Sequence, residues 1–194
     1  MSHTLETILN ISFKNSSLLK LALTHSSYVK KSNDLHNERL EFLGDAVLKM
    51  VVSDFLYTHY PDYQEGDLTK IRSGIISDKH LATIGTRLEL GQYMCFSDGE
   101  KMNGGSTRPS NLGNCVEAIL GAYYLDQGLV PASSLWMTLW TTYGDSLKTI
   151  QLSSNFKSDL QEFMQRHNES LPVYTVIDSF GPDHAMQFLI QCDI

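Results

Sequence analysis

Between His36 and Leu48 the chain reads His36-Asn37-Glu38-Arg39-Leu40-Glu41-Phe42-Leu43-Gly44-Asp45-Ala46-Val47-Leu48, with three acids at i, i+3 and i+7 set into an apolar pattern of helical period. At about 100° per residue, Glu38, Glu41 and Asp45 fall within about 60° of one another, while Leu40, Leu43, Val47 and Val51 form a stripe on the opposite side. The spacing predicts a helix from about Asn37 to Tyr57, stopped before Pro61. A solvated acidic face is one reading of the pattern and a cation site is the other. Phe42 lies about 40° from Glu38, on the acid face, where a purely solvated surface has little use for a large aromatic. Val52 and Leu56 continue that face as apolar residues, so the second half of the helix reads as buried nearly all round. Carboxylates clustered beside apolar neighbours repel one another unless a cation or a proton intervenes.

The remaining chain supplies helices to pack on this one. Leu5 to Leu9 is a short apolar turn, and Asn15 or Ser16 caps a segment carrying Leu18, Leu19, Leu21, Ala22 and Leu23. His25, just beyond it, reads as a structural hydrogen-bonding residue. A helix bearing Leu68, Ile71, Ile75 and Ile76 follows the acidic turn 61–67, with Asp67 as its cap and Glu65 just ahead of it. The next starts near Ser77 or Asp78 and runs to Gly91, and 98–109 reads as a polar loop. From Ser110 as cap, a helix extends through Leu125. On it Asn114 and Glu117 share a face with Ala118 and Gly121, a strip small enough for close approach by the acid helix at Gly44. Gly128 ends this helix, and Pro131 opens another through Trp136, Trp140 and Tyr143. After 148–155, which is polar enough for a linker, a helix (156–167) precedes two strands, 172–177 and 186–192.

Composition leaves several partners open and closes others. The net charge of −7 argues against a broad basic surface for nucleic acid, but acids that bind cations can face phosphates through them. No run of about 18 apolar residues could span a bilayer, so no membrane role is expected. The first residues lack a basic start followed by an apolar stretch, and Cys95, Cys115 and Cys192 are odd in number and widely separated. The expectation is a cytoplasmic chain with reduced thiols.

The segment 36–48 closely resembles the signature of the ribonuclease III family, and the order of further matches extends the likeness over nearly all of residues 5–145. These matches are Glu65 before a helix, Gly104-Gly105 in the loop, Pro109-Ser110, and Val116-Glu117-Ala118. Leu171 to Tyr174 and Gly181 to His184 resemble the first half of a double-stranded-RNA-binding domain. The resemblance implies an all-α nuclease domain (1–147), a linker (148–155) and an incomplete α+β double-stranded-RNA-binding domain (156–194), whose helix and first two strands alone are represented. It implies a homodimer that cuts double-stranded RNA, leaving 5′-phosphate and 3′-hydroxyl ends, in the processing of rRNA and mRNA precursors. Mg2+ is the implied cofactor, with Mn2+ as a substitute.

Residue by residue, the resemblance assigns Glu41, Asp45, Asn114 and Glu117 to metal binding, Asp45 and Glu117 among them as catalytic. It makes Glu38 and Glu65 supporting acids and Phe42 an aromatic that packs into the partner subunit. Gln161, Glu162 and His184 fall at positions that read the RNA minor groove, where shape and 2′-hydroxyls are recognisable. Magnesium takes oxygen ligands and keeps several waters, so a few carboxylates suffice. One departure bears on activity: the family has Asp where this chain has Asn114, and a neutral amide oxygen holds a hard dication more weakly than a carboxylate. A catalytically inactive member that binds double-stranded RNA through the same fold is therefore the alternative reading.

Overall fold

The computed structural model describes residues 4–29, 35–152, 156–181 and 186–194, and they form two compact units divided between residues 152 and 153. The first unit is helical. Its elements are α1 (Leu5–Leu9), α2 (Ser16–Ala22), α3 (Glu38–His59), α4 (Glu65–Ile75), α5 (Asp78–Arg87), α6 (Asp98–Met102), α7 (Pro109–Gln127), α8 (Leu129–Tyr143) and α9 (Leu147–Leu152). Helix α7 is central, packed against α2, α3, α5 and α8. Every residue from Asn111 to Tyr123 is buried except Asn114 and Glu117, as a helix enclosed by four others requires.

Close backbone approach explains how α3 and α7 meet. A Cβ on Gly44 would overlap the Glu117 carbonyl oxygen, and one on Gly121 would overlap the Leu40 carbonyl, so glycine is needed at both points of contact. The small-residue strip of α7 thus does face the acid helix, beside Asp45. Below this contact Leu48, Val52 and Leu56 of α3 are wholly buried, with Trp136 and Leu139 of α8 in the same core. The expected apolar continuation of the acid face is therefore core.

Several helix boundaries differ from those the sequence suggests. Helix α4 begins at Glu65 after an uncapped Gln64, so Glu65 lies inside the helix and Asp67 in its first turn rather than at its cap. Helix α7 begins at Pro109, whose missing N–H is no loss at the first helical position, and not from a Ser110 cap. The polar stretch 98–109 contains α6, capped by the Ser97 hydroxyl accepting from the Glu100 N–H, and a 3-10 turn at Gly105–Thr107. Helix α5 ends at Arg87, short of Gly91, and Leu90–Gln92 forms a separate 3-10 turn. Helix α9 occupies part of the stretch read as a linker. There Ile150 is buried and packs where a Cβ on Gly74 would be, joining α9 to α4.

Two histidines are tied to backbone. His80, 4% exposed, accepts the Asp145 N–H on Nε2 at 2.9 Å, and its Nδ1 lies 2.6 Å from the Ile75 carbonyl, which it satisfies as the Nδ1–H tautomer. His25 takes the structural role expected of it: its Nδ1 accepts the Ser27 N–H at 3.1 Å. Burial pushes the Cys115 thiol up to about 12, and all three cysteines are free.

The second unit contains α10 (Phe156–Arg166), β1 (Val173–Phe180) and β2 (Gln187–Asp193). The strands are antiparallel, pairing Val173 with Asp193 through to Phe180 with Gln187, with a register shift between Val176 and Asp178. Among the described residues, no helix is long and apolar enough to cross a membrane.

Candidate functional site

The start of α3 is fixed from outside the helix. Asn37 is buried, its N–H donates to the Thr24 carbonyl at 2.9 Å, and its own carbonyl accepts the Leu40 and Glu41 N–H groups. Glu38 and Glu41 then lie in the first turn, where the helix dipole favours negative charge. One turn further, Asp45 adjoins Gly44 and so lies at the contact with α7. Asn114 and Glu117, the two breaks in the buried run of α7, open toward these acids.

The electrostatics record the crowding. Glu117 is pushed up to about 7, first by burial and then by the carboxylates of Asp45, Glu41 and Asp78, with Lys49 opposing. Glu41 is raised as well, chiefly by burial, while a hydrogen bond from the Asn114 amide favours its ionised form. Asp45 pairs with Lys49 one turn on, Nζ to Oδ2 at 2.7 Å. Glu38 is exposed and 3.8 Å from the His36 Nδ1.

Glu41, Asp45, Asn114 and Glu117 are thus brought together by α3 and α7. Glu65 is not with them: it is exposed on α4, accepts the Thr69 hydroxyl at 2.8 Å, and lines a groove with Met50, Tyr57 and Tyr63. Phe42 stands 81% exposed on the same face of α3 as Met50 and Tyr57, the latter 77% exposed. Gln161 is half-buried on α10, whereas the Glu162 side chain and His184 lie outside the described residues.

Two groups were missed by sequence reasoning. Asp78 acts on both Glu41 and Glu117 from the first turn of α5, and its carbonyl lies 3.5 Å from where a Cβ on Gly113 would be. Lys49 was legible as the i+4 neighbour of Asp45.

Residues 15–142 match the model of the Ribonuclease-III-like family, and residues 156–194 match that of the double-stranded RNA binding motif. The chain belongs to the ribonuclease III family. Ribonuclease 3 of Bordetella petrii is 43% identical over 191 residues, covering 98% of this chain and 74% of that protein. The enzyme of the same name from a Nitratiruptor species is 41% identical, over 93% of this chain and 78% of its own length. Among solved structures, the ribonuclease III nuclease domain of Campylobacter jejuni superposes with a TM-score of 0.68 at 42% identity, covering 72% of this chain and 95% of that one. It is described as flexible in a region involved in dimer formation. Dicer from Pichia stipitis aligns with a TM-score of 0.51 at 25% identity, over 93% of this chain and 81% of its own. The helical unit is therefore a ribonuclease III-type nuclease domain, followed by a double-stranded-RNA-binding domain carrying a two-stranded sheet.

Among the described residues no group of three His, Cys, Asp or Glu side chains is arranged as a metal cage. The donor set nevertheless suits a hard dication. It is all oxygen, and burial, with the neighbouring carboxylates of Asp45, Glu41 and Asp78 adding to it, pushes Glu117 up to about 7.

Proposed function

We propose that this ribonuclease III-type chain hydrolyses phosphodiester bonds in double-stranded RNA with Mg2+, or Mn2+ in its place, held by Glu41, Asp45, Asn114 and Glu117. Its products in this reading carry 5′-phosphate and 3′-hydroxyl ends, and its substrates include rRNA and mRNA precursors in the cytoplasm. The observation that carries the proposal is the pair of breaks in the buried run of α7, where Asn114 and Glu117 open onto Glu41 and Asp45. When bound, the dication neutralises phosphate charge and acidifies a water. Asp45 and Glu117, on different helices, fix the geometry from two sides, and the Gly44 contact sets their spacing without a flexible loop. Glu117 is the group able to exchange a proton near neutrality, because burial, and after it the neighbouring carboxylates, push it up to about 7. Glu38 adds charge at the rim.

The reading includes a homodimer, supported by the Phe42, Met50 and Tyr57 stripe, which a polar surface gives no reason to expose. Glu65, which is not among the groups acting on Glu41 or Glu117, supports a centre in this reading only from a second copy. Gln161, Glu162 and His184 are proposed to contact the minor groove. A duplex-cleavage assay with Mg2+ tests the proposal: the unaltered chain should cut, and Glu117→Gln should abolish cutting while binding RNA equally well. A second reading, an inactive double-stranded-RNA-binding member, is favoured by the amide at Asn114. It would be established if the unaltered chain bound duplex but failed to cut at any Mg2+ concentration.

A further inference from the structure

We propose that Lys49 is a resident counter-cation of the acid centre, holding the Asp45 carboxylate when no divalent ion is bound and competing with such an ion for it. The inference rests on the reading of Asp45 as a metal ligand. Lys49 follows Asp45 by four residues on α3, the orientation in which acid and base attract best along a helix, and its Nζ lies 2.7 Å from Oδ2. Its side chain is 53% exposed, so the ammonium can leave the carboxylate for water without stranding a buried charge. The backbone beneath it is held separately, the Ser53 hydroxyl donating to the Lys49 carbonyl at 2.6 Å. Release of the side chain therefore requires no change in the helix.

Lys49 also reaches beyond Asp45, since its charge opposes the upward push on Glu117 across the α3–α7 contact. The centre consequently carries internal donors on two of its ligands: the Lys49 ammonium on Asp45 and the Asn114 amide on Glu41. A dication approaching this group meets a positive charge already at the Asp45 oxygen. It must displace that charge or accept its repulsion, and either lowers affinity. The same ion pair relieves the metal-free chain of part of its carboxylate repulsion. One side chain thus shifts metal-free stability and metal affinity in opposite directions.

The test is titration of the metal-free full chain with Mn2+ at low salt, following free Mn2+ by electron paramagnetic resonance, alongside thermal unfolding in chelator. Lys49→Gln preserves helix propensity and should tighten Mn2+ binding by about threefold to tenfold, the range set by an exposed ion pair plus the lost repulsion. It should also lower the melting temperature in chelator. Lys49→Arg keeps the charge and should bind Mn2+ within about twofold of the unaltered chain. Equal or weaker Mn2+ affinity in Lys49→Gln overturns the proposal. Asp45→Asn separates this failure from that of the underlying reading. If Asp45→Asn loses Mn2+ while Lys49→Gln changes nothing, only the role of Lys49 falls. If the unaltered chain and Asp45→Asn bind Mn2+ alike, or neither binds it, the metal assignment of Asp45 falls and the role of Lys49 with it.

Discussion

Replacing Glu117 with Gln should remove a pH-dependent loss of stability that the metal-free protein carries between pH 5 and 8. In the folded chain this carboxyl holds its proton up to about pH 7, against an ordinary value of 4.5. Over that interval the folded state binds more protons than the unfolded state, so stability falls as pH rises: it is full below about 4.5, declines through 7 and then levels. A displacement of this size corresponds to about 3 kcal/mol for a fully buried group. Glu117 is only partly buried, and solvent screening reduces the figure to about 1–2 kcal/mol. For a chain of this length that is about 3–6 °C in melting temperature. The assay is thermal unfolding in chelator from pH 4 to 8.5 for both forms, read as the difference between them. The two curves should coincide near pH 4 and separate above pH 7, with Glu117→Gln the more stable. A difference that stays flat across the range would show that neither burial nor the carboxylates of Asp45, Glu41 and Asp78 raise Glu117, and the electrostatic account of the site would fail.

Asn114→Asp exchanges the hydrogen bond to Glu41 for a fourth carboxylate. It should lower the half-saturating Mg2+ concentration for duplex cleavage by about tenfold or more while reducing metal-free stability by about 1–2 kcal/mol; equal cleavage at every Mg2+ concentration would show that position 114 is not a ligand. Gly44→Ala drives a Cβ into the Glu117 carbonyl and should cost about 3 kcal/mol in urea unfolding, whereas Gly66→Ala, with nothing within 4 Å, should be neutral or slightly stabilising. Phe42→Asp should convert a sedimenting dimer to monomer with little change in monomer stability, since the ring is 81% exposed; an unaltered chain that is monomeric at micromolar concentration would refute the proposed interface.

What could be read from the sequence was whatever repeats along one helix. The period of α3 separates its acids from Leu40, Val47 and Val51, and Gly44 and Gly121 mark where α3 and α7 touch. Short elements between polar residues were not legible. Helix α9 is anchored by Ile150 against Gly74 and by Leu147 against the core, but Lys148 and Thr149 are exposed, so its composition resembles a linker. Helix α6 spans five residues, too few for any period to emerge. The site divided in the same way. Glu38, Glu41 and Asp45 announce themselves by spacing on one helix, but Asp78 joins them through the packing of α5 on α7, which local sequence does not encode. Glu65 shows the converse: its place in the order of motifs matches the family, yet in the fold it lines a groove with Met50, Tyr57 and Tyr63 and is not among the groups acting on Glu41 or Glu117.

In the proposed function, the net charge of −7 and a phosphate-bearing substrate are reconciled at this site rather than over the surface. Glu41, Asp45 and Glu117 would together carry three negative charges, yet the metal-free chain opposes that charge with Lys49 and the Asn114 amide and keeps Glu117 half-protonated near pH 7. In the metal-binding reading, a divalent ion entering the centre would have to displace the remaining proton of Glu117 and contend with Lys49. Metal affinity should consequently rise with pH through 7, the same interval in which the metal-free fold loses stability. Both trends have one origin: burial at the close α3–α7 contact made by Gly44 and Gly121 raises Glu117 first, and the carboxylates of Asp45, Glu41 and Asp78 raise it further. In the metal-binding reading, the glycines that form the α3–α7 contact would thus also give the centre its demand for a cation.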